Sequence, residues 1–203
     1  MKVNDEGGYK RKLVSPGMHI AVCYQIVDLG TSLDYYNNMS HKVQLGWEIL
    51  DEAYEVEKEN EKQEYNFLVY KEYTASLGEN TNLRKDLESW RSKDFTAQEL
   101  KGFELKNILG IPCQLNIKIK TSAKGNEYPL VLSVNPIGKN EVPKGNKDLF
   151  YLGFDEDPYN IELFKTLPEF LQERIEKSDE WMRLMAGNHE EHNAENEDDD
   201  IPF

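Results

Sequence analysis

Apolar and polar residues alternate along several stretches of the chain at the two-residue period of a β-strand. His19 to Asp28 reads as a first strand, with Ile20, Val22, Tyr24 and Ile26 sharing one face. Lys42 to Leu50 alternates more cleanly: Val43, Leu45, Trp47 and Ile49 point one way, and Lys42, Gln44, Gly46 and Glu48 the other. Tyr65 to Thr74 reads as a third strand, setting Tyr65, Phe67 and Val69 against Asn66, Leu68 and Tyr70. The charged stretch Asp51 to Glu64 between the second and third strands reads as a long connection, partly helical.

The period then changes. Leu83, Leu87 and Trp90 stand at i, i+4 and i+7, with Asn80 or Thr81 as N-cap. Thr96-Ala97-Gln98-Glu99 is a capping box that opens a second short helix, which Gly102 ends. Leu105 to Leu109 adds a further turn before Gly110. In a fourth strand, Cys113 to Lys120, Cys113, Leu115, Ile117 and Ile119 face inward and Gln114, Asn116, Lys118 and Lys120 outward. A turn at Ser122 to Asn126 leads into a fifth strand, Tyr128 to Val134, which stops at Pro136. Five strands with a helix between the third and fourth, in a mainly β chain, match the OB-fold, a Greek-key barrel.

Past Pro136 the composition shifts. Residues 138–147 are rich in Gly, Lys and Asn and read as a linker. Phe150, Leu152 and Phe154 alternate briefly, and Pro168 stands where a first helical residue belongs, ahead of Phe170, Leu171 and Ile175. Ser178 caps a last turn or two carrying Trp181, Met182 and Met185. This stripe is expected to pack on the body or on another subunit. From Gly187 no large apolar side chain appears until Ile201, so a disordered tail is expected. The chain thus divides into a barrel, 1–147, a helical extension, 148–186, and a tail, 187–203.

Composition narrows the class. The chain has 203 residues, 38% hydrophobic and 31% charged, and its mean hydropathy is −0.73. No run approaches the roughly 20 apolar residues of a spanning helix, so no membrane partner is expected. Met1 to Lys12 lacks the apolar stretch of a secretory signal. Cys23 and Cys113 are too far apart in sequence for a metal-ligand pair, and a reducing, cytoplasmic setting fits them. The net charge of −14 argues by itself against nucleic acid. But the acid is segregated: residues 187–203 carry −7, 148–186 carry −6 and 1–147 only −1. Within the last, Asp51 to Glu64 carries −5, which leaves the remainder at +4. A mildly basic body with its acid moved into a connection and a tail is a different object from an acidic protein.

The last six residues, Asp198-Asp199-Asp200-Ile201-Pro202-Phe203, are an acidic run with an apolar tip. They resemble the terminal peptide of bacterial single-stranded DNA-binding proteins. Leu83-Arg84-Lys85-Asp86-Leu87-Glu88-Ser89-Trp90-Arg91 through Leu100-Lys101-Gly102-Phe103 resembles phage-type OB-fold members of that class. The resemblance implies a phage or prophage protein of the bacterial cytoplasm, a homo-oligomer that binds single-stranded DNA. It also implies a tail that recruits replication, recombination or repair proteins. A terminal Phe can fill an apolar pocket while the chain-end carboxylate meets a basic rim, and the aspartates add salt-sensitive steering.

Sequence-tolerant binding of a single strand needs aromatic faces for bases and a positive groove for phosphates. An OB-fold offers these on strands two and three and in the loops joining strands one to two and four to five. The candidates there are Tyr35, Tyr36 and His41 in the first loop, Lys42, Tyr70 and Lys71 on strands two and three, and Lys118, Lys120 and Lys124 on strand four and its turn. Arg84, Lys85 and Arg91 on the helix either extend this path or solvate it. No phosphate-cradling loop or nucleophile elbow occurs, and neither an enzyme nor a cofactor is expected. His189-Glu190-Glu191-His192 departs from the zinc-protease pattern and reads as a chance charge run, so no metal is expected. Two rival readings are an acidic DNA mimic that binds DNA-handling proteins, and a strand-annealing mediator.

Overall fold

In a computed structural model of the protein, described for residues 12–34, 37–58, 61–138 and 144–186, alternating side chains build one curved sheet. The element order is β1 (Gly17–Leu33), β2 (Met39–Lys58), β3 (Glu61–Thr74), α1 (Asn82–Arg91), β4 (Pro112–Thr121), β5 (Glu127–Asn135), β6 (Phe150–Leu152), α2 (Ile161–Lys165) and α3 (Glu169–Ile175). Two short 3-10 turns lie between α1 and β4. The strand order is β3-β2-β1-β4-β5, all antiparallel, with β6 added in parallel beside β1. No ladder joins β3 to β5 among the described residues, so the sheet is unclosed. Its two edges nevertheless come back toward each other, and Lys71 Nζ on β3 reaches the Leu132 carbonyl on β5 at 3.4 Å.

The inner face of this curve holds the main core. Val43, Leu45, Trp47 and Ile49 on β2 are all buried in it, as their alternation predicts. Phe67, Val69 and Tyr73 on β3 and Cys113, Leu115 and Ile117 on β4 join them. α1 closes the open end with Leu83, Leu87 and Trp90, and the Trp90 indole N–H donates to the Pro112 carbonyl at 2.9 Å. The capping box forms as the sequence predicts: Thr96 N–H donates to Glu99 Oε2 at 2.8 Å, and Glu99 N–H returns to Thr96 Oγ1 at 3.2 Å.

Two expectations are corrected. On β1 the inward residues are His19, Ala21 and Cys23, not Ile20 and Val22. A register shift between Cys23 and Gln25 then changes the phase, so that Ile26 enters the main core. Asp51 to Glu64 is not a partly helical connection. β2 and β3 continue through it as a two-stranded arm, with Tyr54 opposite Tyr65 and Glu55 opposite Glu64. The arm therefore carries Tyr54 and Tyr65 on one face and Glu55, Glu57 and Glu64 on the other, with Glu61 on the side of the rings, opposite Lys58.

The C-terminal extension packs on the opposite side of β1. Val27, Leu29, Leu152, Tyr159, Phe164, Leu167, Leu171 and Ile175 form a second buried core, flanked by Trp181 from the helical residues 179–186. Ser178 caps that last helix, with its Oγ accepting from Trp181 N–H at 3.2 Å. Burying one such apolar side chain is worth about 1.5–3 kcal/mol, so the extension is a fixed part of the body.

Candidate nucleic-acid interface

The outward face of β1, β2 and β3 is the place where a barrel of this pattern is expected to hold a strand. Cross-strand pairing sets three rows there: Val22–Glu48–Leu68, Gln25–Gly46–Tyr70 and Val27–Gln44–Glu72. Each row is engaged by the chain itself. Glu48 is 1% exposed and accepts from Asn66 Nδ2 at 2.8 Å and from the Lys147 backbone N–H at 3.0 Å. The strap that brings Lys147 there passes so close that a Cβ on Gly145 would lie 2.5 Å from Glu48 Oε2 and 2.7 Å from Val22 Cγ1. In the middle row the Tyr70 ring lies over Gly46, where a Cβ would stand 3.0 Å from two ring carbons. The Tyr70 hydroxyl is 2.6 Å from that of Tyr24, and burial, then this bond, pushes the Tyr24 hydroxyl pKa up. In the third row α3 reaches over β3 and both Arg174 Nη atoms donate to the Glu72 carboxylate.

The candidate residues separate accordingly. Tyr70 is 41% exposed. Lys42 Nζ donates to Thr74 Oγ1 at 2.9 Å and lines a shallow pocket with Glu72 and Asn80. Lys71 lies on the other side of β3 from Tyr70, with its Nζ 2.6 Å from Asp86 Oδ2 on α1. Asp86 also accepts from the Tyr73 hydroxyl at 2.7 Å, and burial together with this carboxylate raises the Tyr73 pKa. Lys71 thus ties β3 to α1 and β5. Lys118, Lys120 and Lys124 are exposed and have no hydrogen-bond or ion-pair partner among the described residues. Arg84 pairs with Glu88 and Arg91 with Glu99, whereas Lys85 is exposed. Tyr35, Tyr36, His189 to His192 and Asp198 to Phe203 lie outside the described residues.

His41 is the hub of a latch. Its Nε2 is 2.6 Å from Asp28 Oδ1 and its Nδ1 3.6 Å from Glu180 Oε1. Glu180 in turn accepts from Thr31 N–H at 2.6 Å and from Thr31 Oγ1 at 2.7 Å. The bond to Asp28 raises the His41 pKa against the pull of burial. Residues 179–186 are thereby fastened to the β1–β2 hairpin.

A feature that the sequence reading missed lies at the gap between β3 and β5. A cleft of about 490 Å³ opens there, lined by Tyr54, Phe67, Tyr70, Tyr128 and Pro129, with Lys12 and Glu127 also on its walls. Tyr65 stacks on Tyr54 with centroids 5.9 Å apart, and Tyr54 lies 4.8 Å from Phe67, so three rings run from the arm into the cleft. Tyr128 stands on the β5 side, 39% exposed. The alternation of Tyr54 and Val56 with Glu55 and Glu57 was the available signal.

No protein-family model matches the chain, and no curated protein matches it. No helix among the described residues is long and apolar enough to cross a membrane, and none of their His, Cys, Asp and Glu side chains group as metal ligands.

Proposed function

We propose that this protein is a non-enzymatic, sequence-tolerant single-stranded DNA-binding protein built on an OB-type barrel. It coats exposed strands in phage or bacterial replication, recombination or repair, in the bacterial cytoplasm. It acts as a homo-oligomer and recruits partner proteins through Asp198 to Phe203. One observation carries the reading: the order β3-β2-β1-β4-β5, with α1 between β3 and β4, brings two sheet edges together around a tyrosine-lined cleft beside lysines with no partner among the described residues. An OB barrel open between its third and fifth strands has this order. Stacking faces and free cations are what a single strand requires of a protein that ignores its sequence. The segregated charge and the terminal hexapeptide support the same reading from the sequence.

Titration of the full chain with oligo-dT, followed by intrinsic fluorescence, should show binding that weakens as salt rises. Removing residues 198–203 should keep or raise that affinity and abolish capture of replication and repair proteins. A chain that binds no oligonucleotide at low salt contradicts the proposal and favours the acidic mimic.

A further inference from the structure

We infer that the bound strand lies along the β3–β5 cleft, with bases stacked on Tyr54 and Tyr128 and phosphates on Lys118, Lys120 and Lys124, and not across the outward face of β2 and β3. The inference rests on the proposed function and specifies its site.

The outward face offers little free surface. A strap hydrogen-bonded to buried Glu48 covers its first row, Tyr70 fills the space over Gly46 in the second, and Arg174 holds Glu72 in the third. Arg174 is carried by α3, whose Leu171 and Ile175 are buried in the second core, so this part of the cover is fixed to the body.

The cleft is open and has the matching chemistry. Tyr128 is 39% exposed at its lip, and Tyr54, backed by Tyr65, forms the opposite wall. On β4, Lys120 stands directly across from Tyr128 and Lys118 across from Leu130, so these cations share a face with the lip and sit one strand away from it. Lys124 continues the line into the β4–β5 turn. All three ammonium groups are free of internal partners among the described residues, unlike Lys71, which Asp86 holds. Most of the arm's carboxylates are turned from the cleft: Glu55, Glu57 and Glu64 stand on the face opposite to Tyr54 and Tyr65, Lys62 pairs with Glu55, and Glu61 on the ring face stands opposite Lys58. Among the described residues Glu127 is the one carboxylate lining the cleft, and Lys12 also lines it.

The test is oligo-dT titration of the full chain and three variants at several salt concentrations. Tyr128→Ala should weaken binding roughly 5- to 150-fold, the loss of one stacked base. Joint replacement of Lys118, Lys120 and Lys124 by Ala should lower the slope of log affinity against log salt by about 2, as three lost phosphate contacts require on a single strand. Gln44→Ala, on the outward face, should bind like the wild type. All of these replaced side chains are at least partly exposed, so the fold survives, and a thermal melt checks it. The inference is overturned if the wild type binds while Tyr128→Ala and the lysine variant bind equally well, or if Gln44→Ala alone weakens binding. A wild type that binds no oligo-dT at low salt instead removes the proposed function, and this site with it.

Discussion

The outward face of β1–β3 and the cleft between β3 and β5 meet at Tyr70, yet the molecule treats them in opposite ways. On the outward face, side chains that could have met a ligand are spent on the chain itself: Glu48 on a backbone N–H, Glu72 on Arg174, and the Tyr70 hydroxyl, though not its exposed ring edge, on Tyr24. At the cleft, Tyr128 stays exposed and the adjacent lysines have no partner among the described residues. A surface kept free of internal partners is the one still able to exchange water for a ligand at a net gain, because a polar group already bonded must first lose its partner.

The contrast breaks most severely if the cover is loosened. Leu152→Ala removes a fully buried side chain that joins β6 to β1, and should cost about 2–5 kcal/mol. Urea unfolding should show one cooperative transition at lower denaturant. Two separate transitions would mean that the extension is a detachable module. Glu48→Ala leaves the Lys147 N–H and the Asn66 amide without their acceptor and should cost about 1–3 kcal/mol. Hydrogen exchange at Lys147 should speed up in that variant, and unchanged exchange would show that the strap is held by something else. Arg174→Ala removes a half-exposed ion pair, so its effect should be below about 1 kcal/mol and should shrink with salt.

The smallest effect concerns pH. His41 has its pKa raised in the folded state by Asp28, with Glu180 beside it. Its contribution to stability is therefore complete below the ordinary histidine pKa of about 6.5 and is lost as pH rises through the higher folded value. Melting temperatures of the wild type and His41→Asn, compared from about pH 6 to 8, should converge at the alkaline end. A constant difference would show that the latch does not depend on protonated His41.

Much of the sheet was legible in the sequence where one face is buried and the other wet. Val43 to Ile49, Leu83 to Trp90 and the Thr96–Glu99 box obey their local periods because each meets one environment. β1 departs from its local pattern because it meets two. Its first half buries one face in the main core, and its second half also buries Val27 and Leu29 under the extension, with a phase change between them. No local period survives burial on both sides. The arm is masked for a different reason: seven acids give Asp51 to Glu64 the composition of a solvated connection, although Tyr54 and Val56 alternate with Glu55 and Glu57 as a ribbon requires. The site was legible only in its loose parts. Lys118 and Lys120 follow from outward positions on β4 and Lys124 from the turn after it, but Tyr54 and Tyr128 belong to strands distant in sequence, and only the return of β5 toward β3 brings them together. Lys71 sits beside Tyr70 in sequence and faces away from it, where the nearest acid lies on α1.

Photo-crosslinking is the most direct test of where a strand lies. The full chain, bound to an oligonucleotide carrying 5-iododeoxyuridine and irradiated, should yield adducts on Tyr54 or Tyr128, competed away by unmodified oligo-dT. Adducts confined to the outward face around Gln44 and Lys42, with the two cleft tyrosines untouched, would contradict the account.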